Sequence, residues 1–248
     1  MITKEELRSY AGTSGLNLGQ AEKDYFQNVI LFILYRRHGR EMVFKGGTAL
    51  KKCYGLARFS EDLDFTCARE MNPLKDIENG LKRFGVEFEK ETQLYPNGLK
   101  ITLRLRGPLF AGIRQSLCKF IVDLSFRENV ELPPAVKTIG RFMEEVPSFD
   151  VYVMQEKEIL AEKVRAVMSR SKARDVYDLW FLLERGVTFD LELIRKKLGF
   201  YGEGWDAKIF EEGILGKKPF WKTELSGLVS SVPDFEAVLK SITERIPK

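Results

Sequence analysis

The spacing of apolar positions changes character near residue 150. Within residues 21–38 they are dense and helical, with Val29, Ile30, Leu31, Ile33 and Leu34 predicting a buried core helix that Gly39 closes. Residues 41–44 form a short apolar strand that runs into Gly46-Gly47, and Thr48 restarts a helix. Residues 63–66 predict a second strand. Pro73 then opens an amphipathic helix carried by Leu74, Ile77, Leu81 and Phe84. Strands over 86–94 and 99–106 flank Tyr95-Pro96-Asn97-Gly98, whose Asn-Gly step predicts a hairpin. In its second arm Leu99, Ile101, Leu103 and Leu105 alternate with Lys100, Thr102, Arg104 and Arg106, the period of a half-buried strand. Residues 119–126 and 151–154 predict two more strands, separated by a charged, proline-bearing stretch over 127–134.

Beyond residue 154 only helical periods occur, over 155–170, 172–186, 190–198, 206–212 and 234–246. The expected architecture is α+β: a mixed sheet with flanking helices in residues 1–154 and a helical lobe in 155–248. The longest apolar stretch, 29–35, is far shorter than the ~20 residues needed to cross a bilayer. The charged N-terminus lacks the apolar core of a signal peptide. Cys53, Cys67 and Cys118 are scattered, as in a reducing compartment. A cytoplasmic protein with no membrane partner is the expectation.

Composition narrows the chemistry. With 44% hydrophobic residues over 248 positions, a full core is available without a disulfide or metal staple. His38 is the one histidine, which excludes HExxH zinc sites and paired-histidine acid–base catalysis. Neither a GK[ST] P-loop nor GxGxxG is present, so P-loop ATPase and Rossmann readings fall away. A net charge of +4 permits a nucleotide or nucleic-acid partner without requiring one.

The chemistry concentrates in KGGTALKKCYGLARFSEDLDF, residues 45–65. A strand followed by Gly46-Gly47-Thr48 and a helix is phosphate-cradling geometry, because glycines admit close backbone approach and a helix N-terminus presents free N–H groups. Asp62 and Asp64, two apart on a strand, share a face, and a divalent cation would relieve their repulsion. Arg58 and Ser60 could orient phosphates or the loop. Each feature alone is common, and a Gly-Gly turn or an Asp-x-Asp edge is usually structural; their conjunction is more specific.

KGGTAL…RFSEDLDF resembles the first motif of the AbiEii-type nucleotidyltransferase toxins of type IV toxin–antitoxin systems, the MenT-like enzymes included, within the DNA polymerase β-like superfamily. The resemblance continues over most of residues 44–183. It implies a nucleotidyltransferase-like sheet and an Mg²⁺- or Mn²⁺-dependent transfer of a nucleoside monophosphate from an NTP to an acceptor. Lys45, Gly46, Gly47, Thr48, Arg58 and Ser60 would then bind the nucleotide, and Asp62, Asp64 and Asp123, the last from KFIVDLSF, would hold the metal. By the same resemblance Lys163, in EKEILAEKVRAVMSR, lies near the triphosphate and Asp178, in KARDVYDLWFLL, is functional.

From the residues themselves, Lys163 falls inside an apolar stripe, either snorkelling or pointing into a site. Its removal is expected to leave stability unchanged or raised. Asp175 and Asp178 interrupt a nearly all-apolar helix and need partners, for which Arg174, Lys163 or a substrate group are candidates. The family further implies an RNA acceptor, often the tRNA 3′ end, and a cognate antitoxin. Lys100, Arg104 and Arg106, with Lys196, Lys197, Lys208, Lys217, Lys218 and Lys222 near Phe200, Tyr201, Trp205 and Trp221, are the expected acceptor surface. The rival readings are a non-catalytic RNA- or protein-binding module on the same fold, a protein-modifying transferase, and a metal-dependent nuclease.

Overall fold

Alternation of apolar and polar residues pairs the strands of the first half into one seven-stranded sheet in the computed structural model, which describes residues 1–142 and 144–247. The strands are β1 (Met42–Lys45), β2 (Leu63–Cys67), β3 (Phe88–Tyr95), β4 (Gly98–Leu105), β5 (Cys118–Ser125), β6 (Ala135–Ile139) and β7 (Phe149–Val153). Their spatial order is β3-β4-β5-β2-β1-β7-β6. β2 runs parallel to β5 and β1 parallel to β7, and the remaining pairs are antiparallel.

One face of this sheet is the core. Phe44, Leu63, Phe65, Val122, Leu124, Ile101 and Leu103 on it are fully buried. Helix α2 (Leu18–Tyr35) covers this face, with Tyr35 against Phe65, and packs on α4 (Leu74–Arg83). Each such side chain removed from water contributes about 1.5–3 kcal/mol. The opposite face carries the polar half of each strand, so the same alternation that builds the core sets out the charged residues in rows.

The chain forms two compact units. The first comprises Met1–Ala49, Glu61–Asn129 and Pro134–Val153 and contains the whole sheet, with α1 (Lys4–Ser14), α2 and α4. The second comprises Leu50–Ser60, Val130–Pro133 and Met154–Lys248. It is built from α5 (Glu156–Ser169), α6 (Ala173–Glu184), α7 (Leu191–Gly199), α8 (Ala207–Leu215), α9 (Trp221–Leu225) and α10 (Phe235–Thr243). Helix α3 (Gly46–Tyr54) begins in the first unit and ends in the second.

Several elements differ from the sequence expectation for local reasons. α3 starts at Gly46 directly after β1, where the pattern placed a turn before Thr48. α2 starts at Leu18 because Asn17 and Gln20 form a reciprocal cap ahead of the apolar run. β6 is an edge strand in which only Ile139 is buried, so it carries no alternation to read. α1 buries only Leu7 and Ala11, too few positions to set a period.

Candidate active site

The register of four adjacent strands sets one polar row across the face of the sheet opposite the core. Lys45 on β1 lies opposite Asp64 on β2, Asp64 opposite Asp123 on β5, and Asp123 opposite Lys100 on β4. Directly paired residues point to the same face, so the row reads Lys–Asp–Asp–Lys. Two carboxylates one strand spacing apart, about 5 Å, repel by about 3 kcal/mol at an effective dielectric near 20. The flanking lysines oppose that cost. Lys45 Nζ also lies 3.2 Å from Glu128 Oε2, a carboxylate only 4% exposed. Lys100 makes no hydrogen bond or ion pair to another side chain among the described residues.

The segment before β2 is held from below. Gly46 has φ +76°, and a Cβ there would sit 2.5 Å from Asp64 Oδ2. Only glycine lets the start of α3 and the Asp64 carboxylate approach this closely. The hydroxyl of Thr48, itself fully buried, donates to the Asp62 carbonyl at 2.5 Å. Asp62 immediately precedes β2, and its Oδ1 accepts the Ile121 N–H at 3.0 Å. Thr48 therefore spends its hydroxyl on positioning the Asp-x-Asp segment.

A residue outside the sequence motifs also reaches the row. Tyr95, at the end of β3, donates its hydroxyl to Asp123 Oδ1 at 2.6 Å. Burial and this bond push the phenol well above its ordinary pKa, so it stays a donor. Tyr95 and Glu128 sat in segments that read from sequence only as a hairpin turn and a charged loop, and neither carries a motif.

Asp64 and Asp123 offer hard oxygen donors side by side, which suits Mg²⁺ or Mn²⁺. Among the described residues no three histidine, cysteine or carboxylate side chains are gathered as a preformed metal cluster. Asp62 is thus brought next to the pair without completing a three-carboxylate cage.

The remaining expected site residues lie in the second unit, in a buried charge cluster. Lys163, 6% exposed, contacts Asp175 Oδ1 at 2.9 Å and Asp178 Oδ2 at 2.6 Å. Arg58, 1% exposed, grips Asp178 through Nε at 2.5 Å and Nη2 at 2.7 Å, and its Nη1 donates to the Phe59 carbonyl. Arg170 binds both oxygens of Asp175, at 2.7 and 2.8 Å. Burial alone would raise the pKa of both aspartates; the cations outweigh it and hold both below the ordinary carboxylate range. The partners of these carboxylates are Lys163, which the sequence offered, and Arg58 and Arg170, which it did not. Lys163 is neither snorkelling nor unpaired. Ser60, the last residue of the segment that Arg58 anchors, is buried.

A second buried pair was not legible. Glu158 is fully buried, accepts the N–H groups of Glu131 and Leu132, and meets Lys197 Nζ at 2.6 Å. Lys217, 6% exposed, donates to the Val167 carbonyl, and burial lowers its pKa. Trp221 is buried. Lys196, Lys208 and Lys218 pair with Glu192, Glu212 and Glu236. The expected basic, aromatic surface of the C-terminal third is therefore corrected: Lys197, Lys217 and Trp221 belong to the core. On the hairpin, Arg104 and Arg106 are paired with Glu91 and Glu87.

The family model described as "Nucleotidyl transferase AbiEii toxin, Type IV TA system" matches residues 32–241. An uncharacterised protein of Aquifex aeolicus (strain VF5) is 28% identical over 201 residues, 81% of this chain and 77% of that protein. Among solved structures, MenT4, a nucleotidyltransferase toxin of Mycobacterium tuberculosis H37Rv, aligns with a TM-score of 0.68 at 22% identity, covering 99% of this chain and 88% of that one. JHP933 of Helicobacter pylori aligns with a TM-score of 0.65 at 22% identity, covering 91% and 89%.

Proposed function

The chain belongs to the AbiEii family of nucleotidyltransferase toxins of type IV toxin–antitoxin systems, and from that premise we propose that it moves a nucleoside monophosphate from an NTP to an RNA acceptor, the tRNA 3′ end being the first candidate. The family supports nucleotidyl transfer and implies an NTP substrate and an antitoxin partner. The observation that carries the finer reading is the in-register Lys45–Asp64–Asp123–Lys100 row on one face of the sheet.

In this reading Asp64 and Asp123, with Asp62 beside them, would hold a divalent cation. When bound, Mg²⁺ or Mn²⁺ neutralises triphosphate charge and polarises the α-phosphoryl oxygen. Gly46 and Gly47 present the N-terminal N–H groups of α3 to phosphate oxygens. Lys45, beside Asp64, supplies positive charge to the same groups. Asp123, next to Lys100, takes the proton of the incoming hydroxyl on its Oδ2, since Oδ1 is engaged by Tyr95, as the hydroxyl oxygen bonds to the α-phosphorus and the bond to the departing pyrophosphate breaks. Lys100 then faces the acceptor phosphates. Thr48 positions the Asp62 segment. Arg58, with Lys163 and Asp178, fixes the 50–60 segment, Ser60 included, against α5 and α6 within the second unit. No described helix is long and apolar enough to cross a membrane, and a cytoplasmic site of action goes with an RNA acceptor.

The test incubates the protein with each α-labelled NTP, mixed tRNA and cellular protein, with Mg²⁺ or Mn²⁺. Label on RNA supports the proposal. Label on protein alone points to a protein-modifying transferase, shortened RNA to a nuclease, and no product to a binding module.

A further inference from the structure

We propose that Tyr95 is a positioning residue for nucleotidyl transfer, its hydroxyl fixing the direction in which the Asp123 carboxylate points. The inference rests on Asp123 serving the reaction as set out above.

The geometry is specific. Tyr95 ends β3 and pairs with Gly98 at the start of β4, and Gly98 pairs in turn with Ser125 on β5. The tyrosine ring lies across Gly98, where an added Cβ would overlap the ring and its hydroxyl. From there the hydroxyl reaches Asp123 Oδ1 at 2.6 Å, the length of a charge-assisted O–H···O⁻ bond. The hairpin tip is tied down independently by Phe126 N–H donating to the Asn97 carbonyl at 2.8 Å. Tyr95 is half-buried in a strand whose other residues are mostly exposed, its neighbour Leu94 being 78% exposed. The hairpin thus closes without the phenol, and what the phenol adds is a donor on one oxygen of Asp123. With Oδ1 committed, Oδ2 is the oxygen left to face the reacting groups. Hydrogen-bond partners that orient a metal-binding carboxylate are commonly worth 10- to 100-fold in activity or metal affinity.

Two variants remove the bond by different routes. Tyr95→Phe deletes the hydroxyl and keeps the ring. Gly98→Ala leaves Tyr95 intact but displaces its ring. For each, kcat and KM for the NTP are measured by label transfer, Mn²⁺ affinity by the free-ion EPR signal, and folded fraction by circular dichroism. The expected result, per folded molecule, is a kcat lower by about 10- to 100-fold in both, KM for the NTP nearly unchanged, and Mn²⁺ bound about tenfold more weakly. In an Asp123→Asn background, Tyr95→Phe should then add little. Wild-type kcat and Mn²⁺ affinity in folded Tyr95→Phe, with or without a lower melting temperature, would overturn the inference and leave Tyr95 a hairpin latch. Asp123→Asn separates the two claims. If it is inert while Tyr95→Phe is unaffected, only the role of Tyr95 falls; if it is fully active, the reading of the site itself falls.

Discussion

Replacing Asp178 by asparagine should be among the most destabilising isosteric changes available in the second unit. The cluster holds three cations, Arg58, Lys163 and Arg170, against two carboxylates, Asp175 and Asp178. The substitution leaves three cations and one carboxylate. Arg58 and Lys163, whose side chains are 2% and 8% exposed, lose their shared counter-charge in a place that water cannot reach. Removing one partner from a buried pair costs about 3–5 kcal/mol. At about 2–4 °C per kcal/mol for a chain of this size, the melting temperature should fall by about 6–20 °C. Lys163→Met is the contrast. It leaves two balanced pairs, Arg58 with Asp178 and Arg170 with Asp175, so its cost should be smaller, about 1–3 kcal/mol. It should not be neutral or stabilising, as an unpaired lysine in an apolar stripe would be. The aspartates also give the effect a pH signature. Their folded pKa values lie below the unfolded value of about 3.9, so their contribution is complete above about pH 4 and is lost as pH falls through the folded values. The gap between wild type and Asp178→Asn should therefore narrow below about pH 4. Urea unfolding followed by circular dichroism at pH 7 and in acid measures both. A loss under about 1 kcal/mol at pH 7, or a gap that widens in acid, would refute the charge accounting.

Other consequences follow from the same contacts. Gly46→Ala, with φ +76° and its new Cβ against Asp64 Oδ2, should abolish label transfer while circular dichroism still reports a folded protein. Thr48→Val should lose about 1 kcal/mol in urea unfolding, and Thr48→Ser should restore most of it, because the hydroxyl bond to the Asp62 carbonyl is what the valine lacks. Lys217→Met should destabilise by about 1–3 kcal/mol, leaving the Val167 carbonyl unsatisfied, with turnover per folded molecule unchanged.

What could be read in advance follows from how strongly each feature imprints the sequence. β2, β4 and β5 were legible because one face of each is core and the other polar, and period-two alternation records that directly. The helices α5 to α8 and α10 were legible for the same reason at helical period. Asp62 and Asp64 stood out in the sequence through their spacing and Asp123 through the family resemblance, but the adjacency of Lys45 and Lys100 did not, since register joins residues far apart in the chain. Tyr95 was hidden because its role arises only when the hairpin folds its ring over Gly98. The lysines misled: Lys197 and Lys217 look like solvated charges, yet each is buried because Glu158 or a helix carbonyl satisfies it. A charged residue's burial depends on its partner, and partners such as Arg58 and Asp178 stand 120 residues apart.

Nucleotidyl transfer to RNA is proposed to depend on the Asp64–Asp123 pair. The most direct measurement is transfer from α-labelled NTP to tRNA by Asp64→Asn and Asp123→Asn, with folding followed by circular dichroism on the same samples. The expected result is loss of label on RNA in both variants while both remain folded. Undiminished labelling of RNA by either folded variant would contradict the account.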